Sequence, residues 1–86
     1  MLKGQVKDYL DKAVHIFHYH NLQGVASYKG LPDMNIHYGG KVIYLEFKSP
    51  KGRLSPNQIA FQAQCELDNI PYHVVRNLEE LMEILK

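Results

Sequence analysis

Asp33-Met34-Asn35-Ile36-His37-Tyr38-Gly39-Gly40-Lys41-Val42-Ile43-Tyr44-Leu45-Glu46-Phe47-Lys48 reads as a β-hairpin, because two strand-like runs flank a Gly-Gly pair suited to a two-residue turn. With Gly39-Gly40 as that turn, Tyr38 pairs with Lys41, His37 with Val42, Ile36 with Ile43, Asn35 with Tyr44 and Met34 with Leu45. Asp33 then falls opposite Glu46. Two carboxylates directly opposite each other have Cβ atoms roughly 4.5–5.5 Å apart, where like charges are destabilising. A chain that folds this way needs positive charge between them. Lys48 stands two residues beyond Glu46 and so shares its face. On the second strand Ile43, Leu45 and Phe47 point one way, toward the core, and Val42, Tyr44, Glu46 and Lys48 the other. Asp33, Glu46 and the nearby Phe47 carbonyl supply hard oxygen donors of the kind a divalent cation such as Mg²⁺ prefers.

The segments around the hairpin supply its cover. Residues from about Leu2 to Tyr19 read as a helix, with Val6, Leu10, Ala13, Val14 and Phe17 as its apolar stripe. Gln5 lies at the edge of that stripe and Asp8 points away from it. Asn21 and Gly24 end the helix, Gly24–Tyr28 reads as a strand, and Lys29-Gly30-Leu31-Pro32 as a turn. Ser49–Leu54 is a polar, basic loop. Ser55 is placed to cap a helix that Pro56 opens, and Ser55-Pro56-Asn57-Gln58 fits a capping box. That helix runs to about Asp68, with Ile59, Ala60, Ala63 and Leu67 as its expected inward face. Tyr72–Val75 is a short strand, and Asn77 caps a last helix, Leu78 to Leu85, with a stripe of Leu78, Leu81, Met82 and Leu85. The order is α-β-β-β-α-β-α: an α/β (α+β) arrangement of a mixed sheet flanked by helices.

Eighty-six residues make one small domain, residues 1–86. A charge of +1 argues against a strongly basic passive nucleic-acid binder, while leaving room for an enzyme with a local basic patch. Lys29, Lys51 and Arg53 flank the acidic pair through its loops, where they would contact phosphates without reading sequence. The single cysteine, Cys65, excludes an intrachain disulfide and reads as a core residue. No apolar run approaches the roughly 18–20 residues that span a bilayer, and the start Met1–Val6 is unlike a signal peptide. The expectation is a cytoplasmic protein with no membrane partner. His15, His18 and His20 crowd the expected end of the first helix, and His37 shares the face of Asp33.

Pro32-Asp33 followed by Glu46-Phe47-Lys48 resembles the P-D…(D/E)-x-K signature of the restriction-endonuclease-like superfamily. The longer strings Gly30-Leu31-Pro32-Asp33, Tyr44-Leu45-Glu46-Phe47-Lys48 and Gly52-Arg53-Leu54-Ser55-Pro56-Asn57-Gln58 resemble a VRR-NUC domain of the stand-alone phage and bacterial type. The resemblance implies a restriction-endonuclease-like core and Mg²⁺- or Mn²⁺-dependent hydrolysis of DNA, with no small-molecule cofactor. By position it makes Asp33 and Glu46 metal ligands and Lys48 the catalytic lysine. Gln58 matches the glutamine that sits beside that lysine, a role that stands next to its capping role. Similarity to Holliday-junction resolvases implies a homodimer acting on branched DNA. In one respect the chain departs from the pattern. The family places a metal-facing glutamate on the first helix, where this chain offers Gln5, whose amide oxygen is a weaker ligand. The rival expectation is a weakly catalytic or non-catalytic binder of double-stranded nucleic acid. A double-stranded-RNA-binding module is disfavoured because the helix opening at Pro56 carries no lysine cluster.

Overall fold

The computed structural model describes residues 1–24 and 26–86. It contains the hairpin in the expected register: strand β2, Met34–Tyr38, pairs antiparallel with β3, Lys41–Phe47, and every pair from Tyr38 with Lys41 to Met34 with Leu45 is as predicted. Gly39 and Gly40 both have positive φ, 62° and 77°, which a tight primed hairpin turn demands and glycine adopts without a Cβ clash. A short strand β1, His18–His20, adds antiparallel to β2, and β4, Tyr72–Val75, adds parallel to β3. The four-stranded sheet is therefore mixed, in the order β1-β2-β3-β4. Helix α1 covers Leu2–Asp8 and continues as one wide π-helical stretch, Tyr9–Ala13; α2 covers Pro56–Leu67 and α3 Leu78–Ile84. Among the described residues no helix is long and apolar enough to cross a membrane.

Alternation along the strands gives the sheet two unlike faces. Met34, Ile36, Ile43, Leu45 and Val75 form the first, buried with Val6 and Leu10 of the N-terminal helical segment and Leu81 of α3. Phe47, Leu78 and Leu85 pack against this core. The second face carries Asn35, Tyr44, Glu46 and Tyr72. Helix α2 covers its β3–β4 half, where the Phe61 ring lies 5.3 Å from Tyr44 and 6.1 Å from Tyr72. The β1–β2 half of the second face carries no helix, and Phe17, Tyr19 and His37 stand exposed there.

Three expectations are corrected. The first helix does not reach Tyr19: it ends at Ala13, His15 turns the chain at φ 53°, and Phe17–His20 becomes the edge of the sheet. The aromatic run suits a strand, and β2 supplies backbone partners, as in the 2.9 Å bond from His37 N–H to the Phe17 carbonyl. The expected strand Gly24–Tyr28 is not formed among its described residues: Gly24, Ala26 and Ser27 lie in a turn and bends, Tyr28 has no regular structure, and Val25 lies outside the described residues. Finally, α2 is rotated. Ile59 is 54% and Leu67 82% exposed, Ala60 and Ala63 face outward, and the sheet side is formed by Gln58, Phe61, Gln62 and Cys65.

Gly30, at φ 86°, lets the loop press on the first turn of α2; a Cβ there would meet the Asn57 carbonyl oxygen at 2.2 Å. Gly4, inside α1, faces open space. The two glycines predict opposite outcomes in thermal unfolding. Gly4→Ala raises stability by roughly 0.5–1 kcal/mol through helix propensity, whereas Gly30→Ala lowers it by about 1–3 kcal/mol through backbone strain.

Candidate metal centre

The hairpin register carries one step past the last ladder pair, to Asp33 and Glu46. Glu46 is buried, at 2% exposure, and Asp33 is half-buried. Asp33 is fixed from both strands and from α1. Its Oδ2 accepts a 2.9 Å bond from the Phe47 N–H, its own carbonyl accepts the Asn21 N–H at 2.9 Å, and Oδ1 lies 3.9 Å from Lys3 Nζ. Glu46 Oε2 accepts the Gln58 amide at 3.3 Å and lies 3.8 Å from Lys48 Nζ. Its other oxygen, Oε1, is buried and receives no N–H or hydroxyl donor.

This environment penalises a second negative charge. Burial first, then the charge of Asp33 and a hydrogen bond to it, push the Glu46 carboxyl up to about 7; Lys48 and Lys3 offset part of that rise. The donor set fits a hard divalent cation: two convergent carboxylates, those of Asp33 and Glu46, and the carbonyl of Phe47, next to Glu46 in the chain. Among the described residues no group of three or more His, Cys, Asp and Glu converges. The remaining coordination positions would therefore fall to carbonyl oxygen and water, as Mg²⁺ commonly accepts.

Gln58 caps its helix and also reaches the acidic pair. Its N–H bonds Ser55 Oγ at 3.2 Å and its Oε1 accepts the Ser55 N–H at 2.8 Å, completing the capping box. With the oxygen so engaged, the amide nitrogen is left to donate to Glu46. The helix cap thus sets the rotation of α2 and aims a donor at the acidic pair.

The other candidates separate in space. Gln5 is exposed, and the α1 side chain that reaches the carboxylates is Lys3. Lys3, Phe47, Lys48 and Arg76 line a hollow of about 380 Å³ beside the acidic pair. Lys51 and Arg53 are exposed on the following loop, which Arg76 pins by donating to the carbonyls of Ser49 at 2.8 Å and Gly52 at 2.6 Å. Lys29 lines a different cavity, of about 800 Å³, with Tyr28, Tyr44, Phe61 and Cys65. His18 is engaged elsewhere, its Nε2 lying 2.6 Å from Asp11 Oδ1.

Sequence reading missed Lys3, Arg76 and Tyr72. Tyr72 lies on β4 opposite Tyr44, and its hydroxyl is buried without a partner. Burial foremost, then the Glu46 charge, raises its pKa, so it remains a neutral donor beside the acidic pair. No family model, curated protein or solved structure matches the chain.

The raised Glu46 pKa has a consequence for stability. Between its ordinary value of 4.5 and about 7 the folded chain holds a proton that the unfolded chain has released. Stability without divalent ions therefore falls as pH rises through that window. Glu46→Gln removes this fall, and at pH 8 in chelator the variant is expected to melt about 4–8 °C above the wild type, a shift that corresponds to about 1 kcal/mol in a domain of this size.

Proposed function

We propose that this chain is a divalent-metal-dependent DNA endonuclease of the restriction-endonuclease-like superfamily, resembling VRR-NUC domains. The observation that carries the reading is the buried Glu46 carboxyl held against Asp33, with no N–H or hydroxyl donor to its Oε1 and Lys48 Nζ 3.8 Å from its other oxygen. A carboxylate pair held this way is poorly explained as a solvated strand face.

In this reading Asp33, Glu46 and the Phe47 carbonyl would hold Mg²⁺ or Mn²⁺. The bound cation supplies Lewis-acid charge that lowers the pKa of a water and offsets charge on the phosphoryl transition state. The chain's own groups do the rest. Lys48 neutralises the scissile phosphate and orients the attacking water. Gln58 holds the Glu46 carboxylate in one rotamer. Lys3 and Arg76, at the hollow beside Lys48, together with Lys51 and Arg53, offer contacts to the phosphates that flank the cut, and Lys29 one to a phosphate farther along the strand.

A homodimer on branched DNA follows from the same resemblance, since two symmetric cuts require two active sites related by a two-fold axis. The outward apolar face of α2, with Ile59, Ala63 and Leu67, supports self-association. A second reading, weak catalysis, is favoured by Lys3. Its ammonium pairs with Asp33 from the helix on which the resemblance expects a metal-facing glutamate, and it would compete with a divalent ion.

Cleavage of linear, nicked, flap and four-way DNA with Mg²⁺ or Mn²⁺ tests the proposal. Wild-type protein is expected to cut, and Lys48→Ala to fold and bind while cutting slower by roughly 10²–10³-fold, the loss typical of a removed transition-state charge donor. Unchanged cutting by Lys48→Ala contradicts the assigned role. Under the weak-catalysis reading, Lys3→Glu cuts faster than wild type at low divalent-ion concentration.

A further inference from the structure

The uncovered half of the second sheet face has a composition that neither the core nor the acidic pair explains. Phe17 is 62% and Tyr19 41% exposed, and the His37 ring stands exposed between them. Their centroids lie 4.8 Å apart for Phe17–His37, 5.9 Å for Phe17–Tyr19 and 6.0 Å for Tyr19–His37. Three rings in mutual contact at a sheet edge with no helix over them form an open aromatic surface.

The surface is held in place from beneath. Tyr19 Oη accepts from Asn35 Nδ2 at 3.1 Å, Asn35 Oδ1 accepts from Asn21 at 2.6 Å, and Asn21 also donates to the Pro32 carbonyl at 3.0 Å. This chain of bonds runs directly into Pro32-Asp33. Asp33, Asn35 and His37 alternate onto the same face, so His37 stands about 13 Å along the strand from Asp33. Cations mark both ends: Lys3 and Lys48 at the carboxylates, and Lys41 at the turn, where it shares a hollow of about 300 Å³ with His37 and Val42.

We propose that Phe17, Tyr19 and His37 form a base-stacking platform for unpaired nucleotides of the DNA strand that enters the acidic site, an inference that rests on the nuclease reading for the identity of the polymer. Rings accept any base through its π face, and exposed aromatic side chains on a sheet commonly receive splayed bases in this way. Phosphates on either side of the stacked bases meet the cations at the two ends. For a second copy of the chain the competing surface is the apolar face of α2, where Ile59 is 54% and Leu67 82% exposed and the helix carries no lysine or arginine. The platform gives the enzyme a reason to prefer branched or frayed DNA, where unpaired bases are available, over continuous duplex.

The test is fluorescence anisotropy of a labelled oligothymidylate of about 12 nucleotides, within the usual range of single-strand site sizes, in chelator so that nothing is cut. The probes are wild type, Phe17→Ala, His37→Ala, the aromatic replacements Phe17→Tyr and His37→Phe, and Lys48→Ala. Both ring positions are exposed, so circular dichroism is expected to show unchanged folds. Each alanine variant is expected to bind roughly 5- to 100-fold more weakly, the loss of one stacked base, while the aromatic replacements retain wild-type affinity and blunt duplex binding is unaffected. Wild type that does not bind the oligonucleotide, or alanine variants that bind it as wild type does, overturn the platform. So does a shift from dimer to monomer in sedimentation of Phe17→Ala, which would assign the patch to a second copy. The nuclease reading fails separately, by absence of wild-type cleavage on every substrate; Lys48→Ala, which loses one of the end cations, is expected to bind the oligonucleotide more weakly at low salt while keeping its dependence on the two rings.

Discussion

Repulsion between Asp33 and Glu46 is the constraint on which the site depends. A tight glycine turn sets the register, the register places the two carboxylates together, and burial of Glu46 denies them water. Lys3, Lys48 and Gln58 each relieve part of that repulsion, yet one Glu46 oxygen receives no N–H or hydroxyl donor. An uncompensated buried carboxylate is costly, and it persists where the surrounding fold over-determines it. The apolar face beneath supplies that over-determination: a one-residue slip of β2 against β3 would expose Met34, Ile36, Ile43 and Leu45.

Helix α2 links the two faces of the argument. Its capping box fixes Gln58, and Gln58 at the sheet brings Phe61, Gln62 and Cys65 inward at helical spacing. The apolar residues Ile59, Ala63 and Leu67 are then left outside. A polar contact at the first turn therefore decides which side of the helix meets the protein and which is free to meet something else. The basic loop between β3 and α2 is held in a similar way, by Arg76 reaching from the end of β4 to two of its carbonyls.

The hairpin, its register, the convergence of Asp33, Glu46 and Lys48 and the Gln58 cap were legible in the sequence because they depend on local rules: a turn that needs positive φ, a period of two, and a cap three residues long; the reach of Gln58 to the acidic pair came only from the resemblance. The parts that were not legible depend on tertiary contacts. The phase of Val6, Leu10 and Val14 continues through Phe17, so the pattern reads as helix until β2 offers an edge for pairing. Apolar spacing in α2 assumes that the interior is apolar, and fails where the helix is oriented by a glutamine. Lys3 carries no local signal, since its place depends on how α1 crosses the sheet, and Tyr72 acquires its neighbours only through the parallel pairing of β4 with β3.

The central claim is that the acidic pair is a seat for a doubly charged cation. Titration of the chain with Mn²⁺ at pH 7.5, followed by calorimetry, tests it most directly. The account predicts saturable binding to the wild-type chain that is lost in both Asp33→Ala and Glu46→Ala. Binding that both variants retain, or a wild-type chain that takes up no Mn²⁺ at millimolar concentration, contradicts it.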